Sequence, residues 1–141
     1  MKILVITTFY PHPERKDLLR DTSAVHYIAR EWVKQGHQVT VLHCYGHYFR
    51  ELVKELGKHD FRRYGKIQEC PNNEGVRVLL LEEQFWLRNA KWYLPVQQKK
   101  MAVAINQYFH EKEYEPDVLL VHFPTNYVGI VERLDIHCKK A

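Results

Sequence analysis

The sequence predicts an α/β domain in which helices cover both faces of a doubly wound parallel sheet. Short apolar runs rich in β-branched residues alternate with segments whose apolar residues recur at helical spacing. This alternation is typical of a parallel sheet, and the right-handed crossover between parallel strands favours the doubly wound topology. The length of 141 residues fits one domain with a substantial core. We therefore expect residues 1–141 to form a single domain.

The first half of the chain supplies two strands and two helical segments. Residues 2–8 (KILVITT) form a β-branched run of the kind found in strands buried on both faces. A loop with two prolines follows, and residues 21–23 (DTS) are candidate caps for a helix over 24–36 that ends at a glycine. Residues 37–45 (HQVTVLHCY) are the second predicted strand, and the basic stretch 47–66 is predicted to be helical.

The second half repeats the alternation. Residues 76–81 (VRVLLL) are the third predicted strand, and a helix over 95–112 begins at a proline, which is suited to a first helical turn. Residues 116–123 (PDVLLVHF) form the fourth strand. A last helix is expected to begin at a cap supplied by Thr125 or Asn126.

The net charge and the cysteine content narrow the classes of partner and the cellular compartment that we expect for the chain. The net charge of +4 and the pI near 8.9 favour anionic partners such as phosphates or an acidic membrane face. The three cysteines are widely spaced and form no CxxC pair, so they predict neither a disulfide framework nor a zinc site and fit a reducing cytoplasm. No apolar run approaches the ~20 residues that a membrane span requires, and no nucleic-acid-binding motif occurs.

Three common ligands of such sheets are disfavoured by the sequence. Residues 7–23, which follow the first strand, contain no glycine, whereas a dinucleotide site needs GxGxxG there. No GxxxxGK[ST] motif for a P-loop occurs. The predicted strand ends offer Thr, Tyr, His and Phe in place of the carboxylates that hold magnesium in receiver domains. The histidines have no HxH or HExxH spacing. We therefore expect neither a cofactor nor a metal.

Neutral donors and aromatic rings gather instead at the predicted carboxyl ends of the strands, where ligands bind in such sheets. Hydroxyl, imidazole and amide groups suit a polyhydroxylated ligand such as a sugar, and helix starts suit an anion such as phosphate. His122 ends the fourth strand and is the strongest candidate among nine histidines. The other candidates for ligand binding are Thr8, Tyr10, His12, Thr125 and Asn126.

Residues 85–100 (FWLRNAKWYLPVQQKK) combine aromatic and basic side chains, and two interpretations stay open. Such a composition can lie on an anionic membrane surface. Alternatively, it forms a core-facing helix with a solvated basic face, which is the commoner case. The basic stretch 49–66 likewise could bind phosphate or nucleic acid, although basic residues on a solvent face usually only aid solubility.

Three segments, MKILVITTFYP, AVHYIAREWVKQGHQVTVL and EPDVLLVHFPTNYVGIVERL, together resemble the N-terminal half of GT-B glycosyltransferases, especially the retaining family 4 enzymes. The resemblance implies a Rossmann-like domain that binds the acceptor and faces a C-terminal domain that binds a nucleotide sugar. It assigns to His122 the role of the family's histidine that contacts the transferred sugar. It also implies that residues 8–20 line the acceptor and the donor phosphates, but the pair of glycines common in that loop is missing here.

The expected function is therefore the acceptor-binding half of a glycosyltransferase that transfers a sugar to a cell-surface polysaccharide or glycolipid. The donor domain lies outside this sequence, so we expect the chain alone to be inactive. The expected partners are a sugar or lipid-linked acceptor and the nucleotide-sugar donor, with peripheral contact to the inner face of the membrane and no nucleic acid. The alternative is a noncatalytic α/β module that docks a separate catalytic chain by its basic face.

Overall fold

A computed structural model describes residues 1–15, 23–49, 61–87, 90–122 and 128–141. Their strands and α-helices, in chain order, are β1 (Lys2–Thr7), α1 (Ala24–Lys34), β2 (Gln38–Tyr48), β3 (Ile67–Asn73), β4 (Val76–Phe85), α2 (Leu94–Glu111), β5 (Val118–His122), α3 (Val128–Val131) and β6 (Lys139–Lys140). Two single-turn 3₁₀ helices, Phe61–Arg63 and Lys91–Tyr93, precede β3 and α2. No helix in these described ranges is long and apolar enough to cross a membrane.

The six strands form one sheet in the order β3-β4-β2-β1-β5-β6. All neighbouring strands are parallel except β3, which is antiparallel to β4. Strands β2, β3 and β4 lie on one side of β1, and β5 and β6 lie on the other side. The predicted α/β fold with a doubly wound, mostly parallel, Rossmann-like sheet is therefore confirmed, and the order reverses between β1 and β5.

The two faces of the sheet bury different side chains because side chains alternate along each strand. On one face, Val25 and Ala29 of α1 pack against a layer that includes Val5, Val41 and Val78. The spacing of four residues places both α1 side chains on the same side of the helix.

The opposite face holds the larger core. Met101 and Ile105 of α2 are fully buried against strand residues such as Leu4, Ile6 and Leu42. Full burial of one such side chain stabilises the fold by about 1.5–3 kcal/mol. Helices therefore cover both faces, as the alternation in the sequence indicates.

Most predicted elements are present, with corrected bounds. The helices predicted over 24–36 and 95–112 are α1 and α2, and the strand predicted over 116–123 is β5. Gly36 has φ +85°, as expected for a glycine that ends a helix. The proposed caps in 21–22 and at Thr125 and Asn126 lie outside the described residues, but α3 does occur just after them.

The second strand is longer than predicted, and the prediction that the basic helix begins at His47 is wrong. β2 continues through His47 and Tyr48, which the sequence assigned to a helix, because β4 also continues and pairs with it as far as Phe85. Residues 61–63 form a 3₁₀ turn, and residues 50–60 lie outside the described part of the chain.

Two strands were not predicted. β3 is an antiparallel edge strand joined to β4 by a tight turn at Glu74 (φ +49°) and Gly75 (φ +84°). Its Cys-Pro-Asn-Asn segment has low strand propensity, so pairing with β4 decides its conformation. β6 is a two-residue strand beside β5, too short to give a periodic signal.

Candidate functional site

The α1 face of the sheet changes from apolar to polar at one row of paired residues. Val5 is in register with Val41 of β2. Two residues further along β1, Thr7 is in register with His43 of β2 and His122 of β5. Because these positions differ by two, both rows face α1. The polar row therefore crosses three adjacent strands at the carboxyl end of β1 and β5.

His122 lies where the strand order reverses, the position at which open α/β sheets usually bind ligands. Its side chain is exposed, and its Nδ1 is 3.1 Å from the hydroxyl oxygen of the fully buried Thr7. The same hydroxyl accepts the backbone N–H of Phe9 at 3.1 Å and is 3.1 Å from the carbonyl oxygen of Phe9. Thr7 therefore orients the imidazole and the first turn of the loop together.

This arrangement gives the imidazole two possible proton positions. If Thr7 donates its hydroxyl proton to His122, the neutral ring carries its own proton on Nε2 and can donate to a ligand there. If Thr7 donates to the Phe9 carbonyl, Nδ1–H of His122 donates to Thr7 and Nε2 accepts. His122 can therefore serve a ligand hydroxyl as donor or acceptor.

A second group of the row, His43, is 0% exposed and bonds within the protein. Its Nε2 donates to the carbonyl oxygen of Thr8 at 3.0 Å, because a carbonyl can only accept. Nδ1 of a neutral His43 then accepts from Nε2–H of His12 at 2.6 Å, and the two rings stack at 4.8 Å. His12 and Thr8 thus hold the loop after β1 onto β2.

Thr8 has one feature that this packing does not explain. Its hydroxyl oxygen is buried and forms no hydrogen bond within the part of the chain that the structure describes. A buried hydroxyl without a partner is costly, so it marks a position where a water or a ligand group would be stabilised.

Glu82 of β4 is the centre of a charged cluster on this face. Its side chain is 0% exposed and accepts two hydrogen bonds from Arg15, at 2.8 and 3.1 Å. His47 Nε2 donates to it at 2.9 Å, Gln68 donates at 3.3 Å, and Arg63 lies 3.1 Å away. Burial alone would raise the pKa of Glu82, but the hydrogen bonds from His47 and Arg15 and the charges of Arg15 and Arg63 outweigh it and hold the pKa at about 2.

Sequence reasoning missed this cluster. Glu82 stands near the end of a buried apolar strand, in LLLEEQF, and a carboxylate there needs a buried cation as partner. That signal was available, but the partners Arg15 and Arg63 are remote in sequence, and only the fold brings them together. The cluster joins the loop after β1 to β2 and β4.

A small cavity lies beside this cluster, between the loop after β1 and strand β3. It has a volume of about 100 Å³, enough for several water molecules. Arg15, Cys70 and Asn72 are among its lining residues. Two strands, β2 and β4, separate β3 from β1, so the cavity is distinct from the reversal point of the sheet at His122.

Tyr10, predicted to bind a ligand, is placed in the core beneath α1. It is 1% exposed, and its hydroxyl lies 2.8 Å from Nδ1 of His26, whose Nε2 lies 2.6 Å from Glu74. A chain of donation from Tyr10 through His26 to the carboxylate satisfies all three groups. Burial, and then the charge of Glu74, raises the pKa of Tyr10 above its ordinary value.

The predicted site residues therefore occupy three environments. His122 is exposed at the reversal point of the sheet, Thr8 and His12 lie in the loop that His43 holds, and Tyr10 packs in the core. Thr125 and Asn126 lie outside the described residues. Across the described ranges, no three His, Cys, Asp or Glu side chains form a group that could hold a metal ion.

Comparison with known proteins does not assign the chain to a family. No protein-family model, no curated protein and no solved structure matches it. The similarity to GT-B glycosyltransferases therefore rests on the sequence segments described above, and the functional argument rests on the site.

Proposed function

We propose that this chain is the acceptor-binding half of a glycosyltransferase that transfers a sugar from a nucleotide-sugar donor to a polysaccharide or glycolipid acceptor. The observation that carries the proposal is the exposed imidazole of His122, which Thr7 orients at the reversal point of the sheet. The sequence resemblance assigns the sugar-contacting role to the same residue.

The hydrogen-bonding chemistry of His122 suits a sugar. A sugar hydroxyl both donates and accepts hydrogen bonds, and His122 can meet either requirement through Nε2. In transfer, such an imidazole would hold the sugar in position and stabilise developing charge, while a second domain would supply the nucleotide-sugar site. The hydroxyl of Thr8, which has no hydrogen-bond partner among the described residues, is a further candidate for ligand contact near this end of the sheet.

The proposed reaction places the chain in the cytoplasm, where nucleotide sugars are the donors, and at the inner face of the membrane when the acceptor is lipid-linked. The three cysteines are free, which fits a reducing compartment.

A second candidate function is a noncatalytic module that docks a catalytic chain. It is favoured by the observation that much of the polar face is paired internally: His43 bonds to His12 and to Thr8, and Glu82 bonds to Arg15 and His47. Such pairing fits a structural role for that part of the face. Whether His122 binds a sugar therefore distinguishes the two candidate functions.

The test is an NMR titration of the ¹⁵N-labelled chain with uridine and guanosine diphosphate sugars and with mono- and oligosaccharide acceptors. We expect shifts at Thr7, Phe9 and His122, and their loss in His122→Ala. The matched control is His137→Ala, because His137 is exposed on the loop before β6. Shifts that persist in His122→Ala, or no shifts at all, would reject the proposed sugar site and favour the docking module.

A further inference from the structure

A surface at the carboxyl end of β2 and β4 exposes large aromatic side chains. Trp92 is 74% exposed, Trp86 is 63% exposed and Phe49 is 43% exposed. We refer to these three residues, with Leu87 and Val96, as the aromatic surface. Exposed tryptophans are uncommon on a protein surface that only contacts water, and a cluster of them marks an interaction site.

Contacts within the protein hold this surface together. The rings of Phe49 and Trp86 stack at 4.9 Å with an interplanar angle of 24°, which joins the ends of β2 and β4. The Trp86 backbone N–H lies 3.4 Å from the Tyr93 hydroxyl, and the Gln97 side chain donates to the Leu87 carbonyl at 2.7 Å. The start of α2 and the end of β4 therefore present one continuous patch.

The segment that carries most of the aromatic surface has charges of a single sign. Residues 84–110 contain no aspartate or glutamate, although the chain has 17 acidic residues, and they include four lysines or arginines. Lys91, Lys99 and Lys100 are exposed. Lys100 approaches Glu83 at 3.7 Å, whereas no described carboxylate forms an ion pair with Lys91 or Lys99.

We propose that the aromatic surface and its lysines dock the chain onto an anionic lipid bilayer. Indole rings are stable at the boundary between head groups and acyl chains, and ammonium groups are attracted by anionic head groups. The two chemistries occur together in the segment that joins the end of β4 to the start of α2. The sequence left a core-facing alternative open for residues 85–100. In the structure Tyr93 and the inner side of α2 do face the core, while both tryptophans face outward. The proposal deepens the cellular placement given above, but it rests on a different set of residues from the sugar site.

The experiment is flotation of the 141-residue chain with phosphatidylcholine vesicles that contain or lack phosphatidylglycerol. We expect binding only to the anionic vesicles. Binding should weaken as salt rises from about 0.1 M to about 1 M, because the Debye length falls from about 10 Å to about 3 Å. The Trp86→Ser/Trp92→Ser variant should bind about tenfold more weakly, since two large apolar groups no longer enter the interface.

The lysines are tested with a charge-matched pair of variants. Lys91→Gln/Lys99→Gln should weaken binding about fivefold for each lysine, which corresponds to ~1 kcal/mol per charge near an anionic surface. Lys34→Gln/Lys139→Gln removes the same charge elsewhere and should change binding far less. Tyr27→Ser removes an exposed aromatic ring from α1 and is the control for the tryptophans.

Three results would overturn the proposal. The first is the absence of binding to anionic vesicles by the wild-type chain. The second is equal weakening by the lysine variant and its control. The third is concentration-dependent self-association that Trp86→Ser/Trp92→Ser abolishes, without vesicle binding, because the surface would then be an interface between copies of the chain. Sugar titration of the same variants keeps the two proposals separate, since the aromatic surface does not include His122 or Thr7.

Discussion

At the scale of single residues, Glu82 shows how a buried charge can be tolerated in this fold. The cluster of Arg15, Arg63 and His47 compensates for burial, so the carboxylate stays ionised with its pKa held at about 2. A buried ion pair is not in itself strong evidence of stabilisation, but removing one partner leaves the others without compensation. Glu82→Gln should therefore destabilise the protein by about 3–5 kcal/mol. Urea unfolding near pH 7 measures this, with the exposed Glu132→Gln as control, and a loss no larger than that of the control would contradict the assignment.

The same cluster predicts how stability depends on pH. The folded pKa of Glu82 lies below its ordinary value of 4.5, so the native state binds fewer protons than the unfolded chain. The stabilisation is complete above about pH 4.5 and is lost as the pH falls from there through about 2, by up to about 3 kcal/mol. Glu82→Gln should lack this part of the acid transition. Unfolding curves of both proteins across this range measure the difference, and parallel pH profiles would show that Glu82 does not contribute.

Thr7 is predicted to act on a ligand only through His122. Thr7→Val keeps the buried shape but removes the hydroxyl that contacts His122 and Phe9. We expect a loss of stability of about 1 kcal/mol and a threefold to tenfold loss of affinity for any sugar bound at His122, as one hydrogen bond is worth about 0.5–1.5 kcal/mol. The ¹⁵N shifts of the His122 ring should also change, because they report which ring nitrogen carries the proton.

A matched control separates positioning from stability. Thr40→Val removes a buried hydroxyl that accepts a hydrogen bond from Tyr114 at 3.1 Å, away from His122. It should cost similar stability and leave the His122 ring shifts unchanged. If both variants change the ring shifts equally, Thr7 has no specific positioning role.

At the scale of elements, the β3–β4 turn is fitted closely to α1. Gly75 has φ +84°, and a Cβ atom at this position would lie 2.9 Å from Cγ1 of Val33. Gly36 has nearly the same φ of +85°, but a Cβ there would meet nothing within 4 Å. The two glycines therefore separate backbone strain from steric crowding.

Gly75→Ala should be more destabilising than Gly36→Ala. The positive φ costs an alanine about 1–2 kcal/mol at either position, and crowding against Val33 should add about 1–3 kcal/mol at Gly75. Thermal or urea unfolding of the two variants gives the difference directly. Equal losses would mean that α1 moves away from the turn without cost.

The elements also show what the sequence could predict. The apolar β-branched runs of β1, β4 and β5 and the helical spacing in α1 and α2 depend on local patterns, so the sequence predicted them. β3 and the end of β2 depend on pairing with β4, which is a non-local interaction. In the sequence, His47 and Tyr48 begin a stretch rich in charged residues that resembles a helix. They form a strand because they pair with β4.

The residues of the candidate site show the same difference between local patterns and non-local contacts. His122 could be predicted because it directly follows a clear buried strand, and the rule for parallel sheets places functional groups there. The internal pairing of His12 with His43, and of Tyr10 with His26, could not be predicted, because these partners lie on different elements. Sequence position thus identified the edge of the sheet that carries polar groups, but not which of those groups face outward.

At the scale of the whole molecule, the sheet order determines which parts open together. β1 lies between β2 and β5, and β2 is paired with β4 from Thr40 to Tyr48, so these central strands are buried and hydrogen-bonded on both edges. Among the described residues, β6 pairs at only two positions, and β3 pairs with a strand along only one edge. Amide protection in native-state hydrogen exchange should therefore be highest in β1 and β2, where exchange requires global unfolding, and lowest in β6. The turn at Gly75 should open with β3 and not with the central strands.

If β6 were as protected as β1, the edge would be stabilised by contacts other than those in this sheet. If β2 exchanged early, the polar cluster at its end would not be part of the cooperative core, and the large loss predicted for Glu82→Gln would have to be reconsidered.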